Sequence, residues 1–382
     1  MKRTKKIGWR SLSAMLMALL FLAIWIPGQL HSMRDKAQVA KIMKTKKTVC
    51  VGRYLINVPD CAEVAFSHES INVFQIETTP ENEAEFRKRI AERAAETEAR
   101  GSKLGENGPS GMVGVRDLGV PGMVGRTYIY GRDRGYLIEG GQRIYMESVS
   151  VETHAHIGDL SFTLSADSSD ETAAQEAGAL LAHLQLRNED EIPADPGFCI
   201  WRAVFSAPLP LHTSERVMMA FLLMDYPDIS VGLASLTGRN VEPGLLARVA
   251  DTASRTGILE SLLIAKLRAH KRTINGIAGE EKLERVHALN FTTGFTFNWE
   301  SSGVPKHVFK PTLTLELQGG NSLRARGKPT QTSLHEGALL ILWDGVVSSI
   351  RPHMVGAQIG ASPVAGSVSD ECSMAEKVQN RP

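Results

Sequence analysis

Apolar and polar residues alternate along the chain in a pattern that predicts strands first and a helix after them. A run from Cys50 to Pro59 contains an apolar stretch, Val51–Val58, that reads as one strand. A second alternating run extends from Ile71 to Ile76. Thr79 and Pro80 then predict the start of a helix, because a cap residue followed by proline is a common helix beginning.

The second half of the chain repeats this order. A strand-like run from Gly197 to Phe205 is followed by apolar runs at Met218–Met224 and Ile229–Leu233. Glu242 and Pro243 then predict the start of a helix. The sequence therefore predicts that the two halves share one arrangement of elements.

The correspondence continues downstream of these elements. Glycine turns at Gly122 and Gly276 lead into further strands, and helices beginning near Glu176 and Glu336 close the two halves. The separation between corresponding positions grows steadily along the chain, which two small insertions would explain. We interpret this pattern as an internal duplication.

The predicted fold class is α+β, with two similar tandem domains that form a clamp. Each domain is expected to be a mainly antiparallel sheet with packed helices. The predicted domains are residues 34–190 and 191–352, and an acidic, proline-containing linker, Asn188–Gly197, lies at their boundary. Residues 353–382 show no periodicity and are predicted to be a disordered tail.

The first 33 residues have the layout of an export segment. Five Lys and Arg residues precede an apolar stretch at residues 12–26, as in secretory signals. The segment is either a cleaved signal sequence or an inner-membrane anchor with its cationic end in the cytoplasm. Both readings place the rest of the chain in a bacterial periplasm.

The charge balance excludes one class of partner. The 382 residues include 43 Lys and Arg and 42 Asp and Glu, for a net charge of +1. Nucleic-acid affinity depends on a broad basic surface, which this composition does not supply. We therefore expect no nucleic-acid partner.

Four cysteines permit two disulfides in an oxidising compartment. A Cys50–Cys61 bridge is disfavoured, because a single strand over Val51–Val58 would hold the two residues too far apart. A Cys50–Cys199 bridge is an alternative, and buried free thiols are another. The pairing of Cys372 is left open.

The search for catalytic chemistry returns weak candidates. His154 and His156 lie on one face of a predicted strand with Asp159 nearby, which is part of a zinc ligand set. No spacing suggests a further ligand, so a metal-dependent hydrolase remains an alternative only, beside an envelope scaffold protein. No G-x-S-x-G elbow or nucleotide-binding loop is present. We predict no catalytic residue, metal or cofactor.

A protein-binding role is the remaining prediction. The segment formed by Arg132, Asp133 and Arg134, followed by Gly135, reads as a hairpin tip that projects opposite charges. Such a tip suits electrostatic docking to a protein partner. These three residues are the predicted partner-binding site.

Several motifs resemble the type VI secretion lipase-immunity family, fourth class. The opening motif, Thr48–Pro59, contains G-R-Y-L-x-x-V-P and is similar to the start of that family's amino-terminal domain. Segments of the second half are similar to its carboxy-terminal domain: Pro196–Ile200, Tyr226–Ser230, Asn275–Glu281, Phe297–Glu300 and the closing stretch to Pro352. The resemblance extends from about Lys47 to Pro352.

The resemblance implies a function for the whole exported body. Members of the family are periplasmic inhibitors that bind a cognate phospholipase effector, one to one, and block its access to membrane lipid. The family has no catalytic motif, so it implies no enzyme activity. The resemblance implies no contact residues either, since these depend on the cognate effector.

Overall fold

Eighteen strands and five helices make up the described part of the molecule, which in the computed structural model comprises residues 29–101, 110–206, 213–237, 243–255, 263–320 and 328–353. The predicted export stretch at residues 12–26 lies outside these residues, as does nearly all of the predicted tail. No helix within them is long and apolar enough to cross a membrane.

Each half contributes nine strands. The first nine are β1 (Lys46–Val51), β2 (Tyr54–Pro59), β3 (Glu63–Ile71), β4 (Phe74–Pro80), β5 (Ser110–Asp117), β6 (Val124–Glu139), β7 (Gln142–Ile157), β8 (Leu160–Ser169) and β9 (Leu184–Leu186). The second nine are β10 (Phe198–Ile200), β11 (Ala203–Phe205), β12 (Glu215–Leu223), β13 (Tyr226–Leu236), β14 (Ile264–Lys271), β15 (Glu280–His287), β16 (Thr293–Ser301), β17 (Thr312–Gly319) and β18 (Arg351–Pro352). The helices are α1 (29–42), α2 (Glu83–Gly101), α3 (Ala173–Leu181), α4 (Leu245–Arg255) and α5 (Glu336–Val347).

The strand order confirms the predicted duplication. A twelve-stranded antiparallel sheet runs β14-β15-β16-β17-β13-β12-β3-β4-β8-β7-β6-β5. From its centre outwards, each half has the same order of elements, and β3 of the first half pairs with β12 of the second. The fold is α+β with two similar tandem units, and their strands share one continuous sheet.

Two small sheets exchange strands between the halves. The β1–β2 hairpin receives β18 from the end of the second half, and the β10–β11 hairpin receives β9 from the end of the first. The corresponding backbone bonds are His353 N to Arg53 O, at 2.9 Å, and Arg187 N to Arg202 O, at 3.0 Å. Each half therefore completes a sheet of the other.

One disulfide fastens the two hairpins together. Cys50 in β1 is bonded to Cys199 in β10, with the Cα atoms 5.8 Å apart. Beside it, the backbones of Gly52 and Cys199 exchange two hydrogen bonds, at 2.9 and 2.8 Å. Cys61 is disulfide-bonded as well, and no described cysteine is a free thiol. Cys372 lies outside the described residues.

The opening motif makes a second link between the halves. Val51–Val58 is not a single strand as predicted, because Gly52 adopts a positive φ of 57° and starts a tight turn between β1 and β2. The turn presents Arg53, which donates two hydrogen bonds to Glu215 at 2.9 and 2.7 Å. Both side chains are buried. The Gly-Arg pair in the motif thus joins β2 to the start of β12.

Two further predicted elements differ from the structure. The run Ile71–Ile76 is a hairpin turn rather than one strand, with Asn72 at a φ of 52°. Thr79 and Pro80 end β4, and α2 begins three residues later. Asn82 and Glu85 each accept a hydrogen bond from the other's backbone N–H at 3.0 Å, and this capping box fixes the helix start.

The hydrophobic core is continuous through both halves. It lies on one face of the large sheet, against the small sheets, α3 and α5. Trp343 of α5 packs edge-on against Phe297 of β16, with ring centroids 5.8 Å apart. Because the core residues alternate mainly with polar residues along β16 and β17, the opposite face of the sheet is largely polar at these two strands.

We expect loss of the Cys50–Cys199 bridge to destabilise the protein strongly. The bridge closes a loop of sequence separation 149, and removing such a constraint typically costs about 2 to 5 kcal/mol. The double variant Cys50→Ser/Cys199→Ser should lose about this much free energy of unfolding in urea. Reductant should lower the stability of the wild type more than that of the variant. An unchanged unfolding midpoint in the variant would show that the bridge is dispensable.

Candidate functional site

Strands β6 and β7 extend beyond their neighbours in the sheet. β5 pairs with β6 only as far as Arg132, and β8 pairs with β7 only as far as Val149. Residues 133–147 therefore form a two-stranded hairpin with no flanking strand among the described residues, and we call it the arm. Its turn is made by Gly140 and Gly141, at φ values of 58° and 83° that glycine adopts without steric cost.

The arm exposes apolar side chains on both of its faces. Six of them are between 44% and 73% exposed: Tyr136, Leu137, Ile138, Ile144, Tyr145 and Met146. Tyr136 lies opposite Tyr145, and Leu137 lies opposite Ile144. One face therefore carries the two tyrosines with Ile138, and the other carries the remaining aliphatic side chains and Met146. An isolated hairpin is only marginally stable. Clustered exposed apolar side chains mark interaction sites, and tyrosines are frequent at binding hot spots.

The predicted docking residues lie at the base of this arm. Arg132, Asp133 and Arg134 are in β6 rather than at a hairpin tip, so that part of the prediction is wrong. Arg132 contacts Glu147 at 3.1 Å and Glu171 at 2.6 Å. Arg134 contacts Glu147 at 2.5 Å, and the two arginines hold the pKa of Glu147 below its ordinary value.

The charges of Arg132 and Arg134 are therefore paired within the molecule. They connect the arm's base to the body of the domain, which sets the direction of the arm. Their proposed contact with a partner stays a prediction. The sequence does contain a signal for the true tip, since Gly140-Gly141 separates two apolar runs.

The histidine pair has a structural setting. His154 and His156 do share one face of β7, and both are buried. His154 Nδ1 lies 3.1 Å from Thr163 Oγ1, and the His156 ring stacks on Phe86. Asp159 is not brought to them, because it pairs with Arg202 at 2.8 Å.

The carboxylate next to His154 belongs to Glu152, and it also has partners within the protein. Glu152 lies 2.9 Å from His154 Nε2 and 2.8 Å from Arg93 of α2. Burial raises the pKa of Glu152, but its close contact with His154 and its hydrogen bonds from Arg93 outweigh this and bring it to about 2. The described residues contain one close group of metal-ligand types, Cys50, Cys199 and His353. Its two sulfurs are bonded to each other, so they are not free to bind a metal.

A groove opens between β3 and β4, next to the β3–β12 junction of the two halves. β3 and β4 pair only at Ser70–Gln75 and Ile71–Phe74, next to their turn. Beyond that point β3 follows β12, while β4 follows β8. The space between them is about 450 Å³ and is lined by β3 residues 64–69, β4 residues 76–78, Glu189 and Trp201. We call it the seam groove.

Glu69 lies at the bottom of the seam groove. It is 6% exposed, and Oε1 accepts a hydrogen bond from the Trp201 backbone N–H at 2.6 Å. Burial raises the pKa of Glu69 to about 7, against smaller lowering effects of the Trp201 bond and of Arg187. Sequence reasoning missed this setting of Glu69, because the groove depends on how β3 and β4 are paired within the sheet.

The comparisons identify the family. A model of the Tle cognate immunity protein 4 N-terminal domain matches residues 47–187, and a model of the C-terminal domain of the same protein matches residues 191–354. The chain belongs to this family. The prediction of a lipase-immunity relative is confirmed, as is the prediction that the chain is an immunity protein rather than an enzyme. A search of curated proteins found no match.

Solved immunity-protein structures share the fold. The apo form of TplEi, a type VI secretion immunity protein from Pseudomonas aeruginosa, has a TM-score of 0.65 and 21% identity, covering 81% of this chain and 97% of that one. The structure of a Tle4–Tli4 complex has a TM-score of 0.64 and 22% identity, and the match covers 81% of this chain and 98% of that one. TplEi from P. aeruginosa complexed with an "L" peptide has a TM-score of 0.60 and 22% identity, and the match covers 81% of this chain and 99% of that one.

We expect Glu69 to make this immunity protein less stable as the pH rises. Its folded-state pKa of about 7 lies above the reference value of 4.5, so folding favours the protonated form. The associated stability is present below about pH 4.5 and is lost as the pH rises through about 7. The free energy of unfolding of Glu69→Gln should equal that of the wild type near pH 4 and exceed it near pH 8 by about 1 to 3 kcal/mol. Urea unfolding at both pH values measures this difference, and equal stability at both would contradict it.

Proposed function

We propose that this chain is a periplasmic immunity protein that binds a cognate type VI secretion phospholipase, one to one, and blocks its access to membrane lipid. Its family and the Tle4–Tli4 complex among its structural relatives support this function. The observation that carries the mode of binding is the arm, which exposes six apolar side chains beyond the sheet.

The arm's chemistry suits a lipase. An enzyme that acts on lipid must open or present an apolar cleft at a membrane surface. A hairpin that exposes tyrosines and aliphatic side chains can occupy such a cleft in place of lipid. An enzyme whose cleft is occupied in this way is shifted away from its lipid-bound form.

Two features support the periplasmic location. The Cys50–Cys199 bridge belongs to an oxidising compartment. The basic and apolar composition of residues 1–33 is that of an export segment. Whether residues 12–26 are removed or retained as an inner-membrane anchor, the binding domains face the periplasm.

The neighbouring gene supplies the test of function. Its product should be a phospholipase that co-purifies with this chain. Directed to the periplasm, that enzyme should be toxic alone and harmless with this chain. A neighbour that is not toxic there, or that is toxic but neither bound nor neutralised, would contradict the proposed function.

The arm is tested by Ile138→Ala/Tyr145→Ala. Removing two exposed anchors should weaken effector binding by about 30-fold or more, because truncation at a hot spot costs about 2 kcal/mol or more. Stability should change by less than about 0.5 kcal/mol, because both side chains are exposed. Calorimetric titration with the effector measures the affinity, and urea unfolding measures the stability.

The matched control uses the corresponding hairpin of the second half. Leu289 and Phe291 lie in the β15–β16 turn and are 78% and 96% exposed. Leu289→Ala/Phe291→Ala removes comparable exposed apolar surface from a short hairpin. Equal losses of affinity in both double variants would show that the arm has no special role.

A further inference from the structure

The seam groove exists because β3 bends away from β4. His68 adopts a positive φ of 55°, which is uncommon for a side chain of this kind. The pairing register with β12 shifts at the same place, between Arg216 and Met218, so β3 carries an extra residue there. Such a bulge bends its strand. It separates β3 from β4 while leaving each strand paired on its other side.

Two strand edges consequently face each other without a strand between them. β3 is paired with β12 along its outer edge, and β4 is paired with β8. Among the described residues, no strand pairing crosses the groove beyond Ser70–Gln75. Unpaired strand edges are templates for a further strand, and addition of an extended peptide to such an edge is a recurring mode of recognition.

The groove lining is acidic. It contains three carboxylates, Glu69, Glu77 and Glu189, and no Lys or Arg. His68 also lies in the lining. An occupant with basic side chains therefore complements the lining.

One buried polar atom in the groove lacks a partner among the described residues, and a buried carboxylate lies in the same lining. Glu69 is 94% buried, and only its Oε1 has a hydrogen bond to a described residue. Thr78 Oγ1 is buried and has no hydrogen-bond partner within the described segments of the chain. Buried polar atoms are usually satisfied, and leaving one unpaired has a substantial cost. Glu69 and Thr78 both line the groove, so an incoming donor can reach them.

We propose that the seam groove binds an extended basic segment of the partner protein by strand addition between β3 and β4. The segment's backbone pairs with the free strand edges, and a Lys or Arg side chain reaches Glu69 and Thr78. The identity of the partner rests on the proposed function, whereas the binding chemistry of the groove does not. The arm and the groove are then two separate contacts with one partner.

The direct test needs no effector. The probe is a fluorescently labelled peptide of six residues that alternates Lys and Val, titrated with the full chain in an anisotropy assay. It should bind, whereas a Glu-Val peptide of equal length should not. A Lys-Val peptide with N-methylated backbone amides should also lose binding, because strand addition needs those donors. If the N-methylated peptide binds equally well, or the Lys-Val peptide does not bind, the inference is wrong.

Variants locate the peptide in the groove. Glu69→Gln keeps the side-chain shape and the acceptor for the Trp201 N–H but removes the charge. It should weaken binding of the Lys-Val peptide about tenfold or more. Thr78→Val should weaken it as well. The matched control is Glu92→Gln on the exposed surface of α2, which should have no effect. Equal losses in Glu69→Gln and Glu92→Gln would indicate nonspecific charge attraction and overturn the inference.

Measurements of effector binding distinguish failure of this inference from failure of the proposed function. If the effector binds the wild type and the two groove variants equally, the groove is not a contact although the function stands. If no effector binds but the Lys-Val peptide does, the groove stands and the proposed function fails. Weaker effector binding by Glu69→Gln, with the folded state intact by circular dichroism, supports both.

Discussion

The connection between β1 and β10 is the constraint on which the rest of the structure depends. Cys50 and Cys199 join equivalent hairpins of the two halves, and the backbones of Gly52 and Cys199 pair beside the bridge. Around it, each half gives its last strand to the other. Neither half can complete its small sheet alone, so the two units fold as one body with a continuous core.

This rigid centre determines what the periphery can do. Because the halves are fixed at the hairpins and at β3–β12, the divergence of β3 from β4 produces a groove of defined shape instead of a loose hinge. The arm extends from the far side of the first half, with its base held by Arg132 and Glu171. A partner that contacts both features would meet a surface largely organised in advance, which reduces the ordering cost of binding.

The duplication and the fold class could be predicted because they depend on local patterns. Glycine turns at Gly122 and Gly276 and the closing helices keep the same order in both halves, and each is visible in a short window. The strand boundaries at Gly52 and Asn72 could not be predicted from alternation, because a tight turn with one positive φ interrupts the apolar pattern only slightly.

The candidate sites were only partly predictable. The sequence drew attention to Arg132 and Arg134, but the charges of these arginines are neutralised by Glu147 and Glu171, which come from elsewhere in the chain. The seam groove depends on β3 pairing with β12, more than 140 residues away. Pairing at that distance follows from the exchange of strands between the halves, and no local motif carries it.

Inhibition of the cognate phospholipase tests the account most directly. The enzyme's hydrolysis of phospholipid vesicles would be measured while this protein is added in steps. The account predicts that activity falls linearly and reaches zero at one equivalent, and that a variant with residues 135–146 replaced by a short glycine-containing turn inhibits only at large excess. Full activity of the enzyme in the presence of excess wild-type protein would contradict it.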